Sequence, residues 1–356
     1  MKKLFVLATA VIALAACSKV ENVETPDKAV SFQVANYTVG TKADTHGHTS
    51  LKDEGYNTFT TSGYFYTPGK SVQDFMINEE VKYDGSSIWA PSSRTYYWPK
   101  TGHINFFAYA GSKTLVIEEN DIHSSGDLSI ATNDNILVAD GAYRYSDNDQ
   151  AEHKLDGVTK GVPMIFRHML AKVKFDVVLD ATEVTGTDAA KHHWDVTLNS
   201  ASLNYINQGS LAVSFTDPGS TNNAKGTAAW TPSTGTNTLS KVTAAVTLSQ
   251  NGGTKTTNPV EFIAESTVLP QTLGDAVTFE MNYDLSYSYD GSIPIEEVVP
   301  VANKKLTVYA PAITEWKMNT IYTYHITIKV GASDNKIYFD PAVEAWAEVE
   351  NSEAVI

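Results

Sequence analysis

Several short stretches gather side chains that could do chemistry. His46-Gly-His48 offers two imidazoles, good ligands for zinc or copper. It lies in a polar stretch with no third ligand in view. His192 and His193 are adjacent, so on a strand their rings point to opposite faces and cannot share one ion. Asp147, Asp149 and Glu152 form an acidic group. An EF-hand loop needs acids at alternate positions, a central glycine and a closing glutamate, and the last two do not fit. Glu119-Asn-Asp121 approaches the Glu-x-Asp-x-x-Glu of sandwich hydrolases, whose carboxylates stand about 5 Å apart when retaining. Ser124 occupies the closing position. Gly63 to Ser71 reads GYFYTPGKS, with five residues between its glycines where a phosphate-binding loop needs four, and it reads instead as a turn at Pro68-Gly69. No Gly-x-Ser-x-Gly and no His-Glu-x-x-His occurs. The residues point to no catalytic site, no cofactor and no metal centre, so the expectation is a protein that is not an enzyme.

Cys17 is the single cysteine of the 356 residues, which excludes an internal disulfide and a cysteine-based zinc site. Its position suggests another role. Lys2 and Lys3 precede an apolar run from Leu4 to Ala16. That run is too short to cross about 30 Å of hydrocarbon as a helix, and it reads as an export signal. Leu14-Ala15-Ala16-Cys17 resembles the bacterial lipobox. In that pathway the signal is cut between Ala16 and Cys17, and the thiol takes a diacylglyceryl group. The new amine can then be acylated, as with palmitate. Two or three chains hold firmly, at about 0.8 kcal/mol per buried CH₂. The competing reading is an ordinary signal peptide with an incidental cysteine. The chain carries 26 Lys+Arg against 41 Asp+Glu, a net charge of −15, which repels phosphate backbones and argues against nucleic acid as a partner.

The elements around these residues are strands. Period two dominates from Val30 onward. Val30, Phe32 and Val34 alternate with Ser31 and Gln33, in a strand expected over Val30 to Val39. Ile104, Phe106 and Ala108 share one face of another. Met169 to Leu179, Leu211 to Phe215, Val242 to Leu248, Val277 to Tyr289 and Tyr322 to Val330 alternate in the same way. No apolar pattern of helical period and length appears. Short alternating strands between Gly, Pro and Asn turns predict antiparallel β-sandwiches. The expected division is a signal at 1–16, a tether with a leading strand at 17–42, an N-terminal sandwich at 43–160 and a C-terminal sandwich at 161–356. The loop-rich stretch 119–161 precedes the boundary.

Five features together resemble the fimbrillin (type V pilin) family of the Bacteroides group. They are TYYWPKTGHINFFAYAG from Thr95, FRHMLAKVKFDV from Phe166, EWKMNTIYTYHITI from Glu315, KIYFDPAVEAW from Lys336, and the lipobox paired with Thr41-Lys42-Ala43. The resemblance implies an all-β protein of two transthyretin-like sandwich domains, exported as a lipoprotein to the outer membrane and cell surface. It implies a cut by a trypsin-like protease between Lys42 and Ala43, where family members often carry Arg. Subunits then polymerise with other pilin subunits, like or unlike, by strand exchange, and the fimbria serves adhesion to a host or bacterial surface ligand. The cut would free the strand carrying Val30, Phe32 and Val34. Its loss leaves unpaired N–H and C=O groups that a neighbour's segment can satisfy. The candidate donor lies near 337–356, with Val343, Ala345, Ala347 and Val349 as its apolar face. The same piece could equally be the last strand of its own subunit. A stalk or a tip position fits the cut site. The alternative function is a surface glycan-binding lipoprotein that stacks sugars on Trp89, Tyr96, Trp194 and Trp230.

Overall fold

A computed structural model describes residues 29–34, 51–145 and 154–345, apart from positions 53, 86–87, 100–101, 156–158, 220–222, 234, 242–245, 276, 290–298, 308–312 and 332–335. Nearly all regular structure in the described residues is strand, with one short 3₁₀ turn at Ala189–Lys191. The first strands are β1 (Phe32–Val34), β2 (Thr58–Tyr66), β3 (Gln73–Tyr83), β4 (Trp89–Pro91), β5 (His103–Gly111), β6 (Val116–Glu118) and β7 (Asp121–His123).

A large sheet runs in the order Val162–Met164, β1, β4, β3, β2, β5, Gly141–Tyr145, Asn223–Ala224. Strand Ile136–Ala139 pairs with the far end of β5 and with Phe166–His168. The centre of this sheet is β5, and both of its faces are buried. Ile104, Phe106 and Ala108 join one apolar cluster, with Phe32, Phe59, Trp89 and Phe166. Phe107 and Tyr109 join another, with Ile117, Ile122, Leu211, Val213 and Phe215. Aromatic residues on both faces of β5 thus fit a strand covered on both sides. The cover on the second face is a sheet ordered Thr227–Pro232, Gln208–Ser214, β7, β6.

The remaining core lies between two further sheets. One is ordered Val260–Val268, Ala171–Asp180, Thr320–Lys329, Lys336–Ala345; the other holds His192–Ile206 and Thr278–Tyr289 side by side. Phe175 stacks on Phe279 at 4.6 Å and on Tyr324 at 4.8 Å between them. Trp316 Nε1 donates to Tyr324 Oη at 2.9 Å, so these two buried polar tips satisfy each other.

Two findings depart from a simple chain of antiparallel hairpins. β1 runs parallel to Val162–Met164, and Ala171–Asp180 runs parallel to Thr320–Lys329. Parallel neighbours need long connections, and both pairs are far apart in sequence. Pairing in the first sheet also includes strands beyond residue 160. Val162–Met164, Phe166–His168 and Asn223–Ala224 pair inside the first sheet, and Gln208–Ser214 and Thr227–Pro232 cover it.

Candidate functional site

The site is the slot that holds β1. This strand is not a sheet edge: Val162–Met164 lies on one side and β4 on the other. Phe32 pairs with Val162 and with Trp89; Gln33 and Val34 pair with Pro163 and Met164. The ladder continues toward the N-terminus. Val30 N–H donates to the Tyr96 carbonyl at 2.8 Å, Ala29 bridges to Tyr97, and Val162 N–H donates to the Ser31 carbonyl at 2.8 Å.

Side-chain packing follows from the alternation. Val30, Phe32 and Val34 are 2%, 0% and 2% exposed. Phe32 meets Phe59 at 5.6 Å and Phe106 at 5.3 Å, both edge to face. Phe59 in turn packs on Trp89 and Phe166, so the pocket is walled by aromatic rings. Burying three side chains of this size contributes roughly 1.5–3 kcal/mol each.

The walls are held by polar groups. The carboxylate of Glu79 on β3 accepts from Ser93 N–H at 2.9 Å, Ser93 Oγ at 2.8 Å and Tyr96 Oη at 3.2 Å, which fixes the loop that receives Val30. Asp140 separates Ile136–Ala139 from Gly141–Tyr145, Ile165 separates Val162–Met164 from Phe166–His168, and Asp140 N–H donates to the Ile165 carbonyl at 2.8 Å. Arg167 donates Nε and Nη2 to the two Asp140 oxygens at 2.7 and 3.0 Å. Both partners are buried, and their bidentate geometry compensates the loss of hydration. Gly161 is required by closeness: a Cβ there would lie 2.8 Å from the Phe32 carbonyl carbon.

The other predicted positions scatter. Ala16, Cys17, Lys42, Ala43, His46, His48, Ala347 and Val349 lie outside the described residues, as do Ala35 to Val39 and the acidic group Asp147, Asp149 and Glu152. Val343 and Ala345 lie on Lys336–Ala345, where they pair with Tyr322 and Thr320 in the sheet of their own chain. Ser124 Oγ accepts from Leu211 N–H at 3.1 Å, a tie between neighbouring strands of one sheet. His192 and His193 make separate bonds, to Tyr287 Oη and Asn251 Oδ1. Pro68-Gly69 is a turn, with Gly69 at φ 75°. Of the four aromatics offered as a sugar platform, Trp89, Tyr96 and Trp194 are 1%, 9% and 4% exposed. Trp230 is half-buried, and its Nε1 donates to the Met169 carbonyl. The platform therefore does not form.

Sequence reasoning found β1 but not its neighbours. Trp89, Glu79, Gly161 and Val162 carry no local signal of a shared slot, because their pairing is non-local. Only the conformational freedom of Gly161, beside an apolar residue, could have hinted at a close approach.

A fimbrillin-like family model matches residues 49–346. Among solved structures, a putative cell adhesion protein from Bacteroides uniformis ATCC 8492 is 17% identical, covering 91% of this chain and 100% of its own, with a TM-score of 0.43. A fimbrial protein from Bacteroides vulgatus ATCC 8482 is 15% identical, covering 90% and 99%, with a TM-score of 0.47. A putative cell adhesion protein from Parabacteroides distasonis ATCC 8503 is 11% identical, covering 91% and 98%, with a TM-score of 0.47. No curated protein matches the chain. The family match spans most of the residues that form the sheets, and this chain belongs to the fimbrillin-like family.

Proposed function

We infer that the chain is a structural subunit of a cell-surface fimbria, of stalk or tip type, that serves adhesion. It is exported as a lipoprotein through Cys17, reaches the outer membrane, and is matured by a trypsin-like protease after Lys42. The observation that carries this reading is the placement of β1 inside the sheet, between Val162–Met164 and β4. A cut after Lys42 would sever β1 from the body while leaving every other described strand in the chain. Departure of β1 would expose the Phe59, Phe106 and Trp89 rings and free the backbone groups of Val162 and Tyr96. A segment from a second subunit restores both, which is β-augmentation with a built pocket for its apolar side chains. Such head-to-tail exchange does not close on itself and yields a filament. Residues 337–356 are the candidate donor; in the described structure their first part stays paired within its own sheet.

Limited trypsin treatment of the purified precursor tests this reading. The expected product is a resistant core beginning at Ala43, which forms a ladder of oligomers on an unboiled gel. A core beginning elsewhere, or one that stays monomeric at high concentration, would sink it.

A further inference from the structure

The β6–β7 hairpin carries side chains that strand exchange leaves unused. Glu118 stands opposite Asp121 across the hairpin, and His123 is two residues beyond Asp121 on the same strand. All three therefore share one face. The other face is Ile117 and Ile122, 5% and 0% exposed and set in the core, so the outer face is fixed by burial of the inner one. Asn120, at φ 60°, makes the tight turn between the strands.

Ligand atoms of Glu118, Asp121 and His123 lie within 4.8 Å of one another. His123 Nδ1 is 2.9 Å from Asp121 Oδ2. Two ligands at about 2.0–2.1 Å from a zinc ion stand about 3 Å apart, so this pair is already at ligand spacing. Glu118 is exposed, and its carboxylate oxygen lies within the same 4.8 Å of the other two ligand atoms.

Charge is the second observation. Among the described residues no lysine or arginine forms an ion pair with Glu118 or Asp121, and His123 is the one basic group on Asp121. Of the two, Glu118 is also felt inside: the Tyr64 hydroxyl is pushed up to about 12, first by burial and then by Asp74, Glu118 and Glu119. Glu119 itself is engaged by Tyr66 Oη at 2.7 Å, which leaves Glu118 and Asp121 to face a cation.

We propose that this hairpin binds one divalent transition-metal ion of the zinc class through His123, Asp121 and Glu118. One imidazole with two carboxylates is a zinc-type donor set, whereas calcium takes six to eight oxygens that this hairpin does not supply. The fourth position faces solvent and is open to water or to a side chain of a neighbouring molecule. Binding at Nδ1 moves the imidazole proton to Nε2.

The test is equilibrium dialysis of residues 17–356, unacylated, against Zn²⁺ and separately against Ca²⁺. The expected result is one zinc per chain, with His123→Gln and Asp121→Asn each weakening it by more than about tenfold. A His46→Ala/His48→Ala variant should keep the site. Unchanged circular dichroism certifies each fold, and Glu118→Gln serves if a strand variant is unstable. Zinc bound equally by His123→Gln, zinc lost with His46 and His48, or calcium bound instead would each overturn the proposal. So would no zinc uptake at micromolar concentrations. None of these outcomes depends on cleavage after Lys42.

Discussion

Replacing Phe32 by alanine measures how firmly the leading strand is held. Phe32 is 0% exposed and is gripped edge-on by Phe59 and Phe106. Truncating a buried phenylalanine costs about 3–5 kcal/mol, because the lost transfer energy adds to the cavity left behind. In the uncut chain that cost appears as lost stability. After a cut behind Lys42 the strand is held only by non-covalent contacts, so the same loss weakens its retention. At about 1.4 kcal/mol per tenfold, the fragment's affinity falls roughly 10²- to 10⁴-fold. The single thiol of Cys17 permits a clean assay. Unacylated residues 17–356 carrying Lys19→Gln and Lys28→Gln, which keep trypsin from parting the label from the strand, are labelled there with a fluorophore and cut with trypsin, and the label is followed by anisotropy and gel filtration. Wild-type label should stay with the core on the time scale at which the Phe32→Ala label leaves. If both fragments leave at the same rate, Phe32 does not hold the strand, and the slot argument is refuted.

Two further outcomes follow from the same geometry. Gly161→Val places a side chain against the Phe32 backbone, where even a Cβ would stand at 2.8 Å; overpacking of this kind costs about 1–3 kcal/mol. A thermal melt should show a midpoint lower by several degrees, and an unchanged melt would mean that the strand can shift aside. Stability should also depend on pH through His168, which is 2% exposed, with Nδ1 2.9 Å from Asn135 Oδ1 and Nε2 3.3 Å from Glu54. Burial lowers its pKa from the ordinary 6.5, and Lys172 adds to this while Glu54 opposes it. The unfolded chain therefore takes up the proton first. The contribution is complete above pH 6.5 and is lost as pH falls through the lower folded value. Urea midpoints at pH 7.5 and 5.5 should differ less in His168→Gln than in wild type; His103, also lowered mainly by burial, supplies a remaining slope. Equal differences in the two proteins would remove His168 as the cause.

Much of the strand content was legible because alternation is local. Val277 to Tyr289 reads as one long strand, and Thr278–Tyr289 is one. Tyr322 to Val330 and Met169 to Leu179 fare as well, as Thr320–Lys329 and Ala171–Asp180. A strand that buries one face must keep its register, so its pattern survives in the sequence. The leading strand was legible for the same reason at Phe32 and Val34. The hairpin cluster was not. Glu119 looked like the natural partner of Asp121 by spacing, yet the turn at Asn120 sets Glu118, not Glu119, opposite it.

By itself the sequence determined that the chain is built of strands, which residues of each strand share a face, and that its only thiol stands at the end of a short apolar run. Tertiary structure decided which strands are neighbours. The slot of β1 joins residues near 32, 89 and 162, and the wall behind it joins Asp140 to Arg167. It also decided that Trp89, Tyr96 and Trp194 are core and not platform. Alternation tells a side chain to be buried but is silent about what buries it. The partners come from distant parts of the chain, chosen by shape and hydrogen bonding.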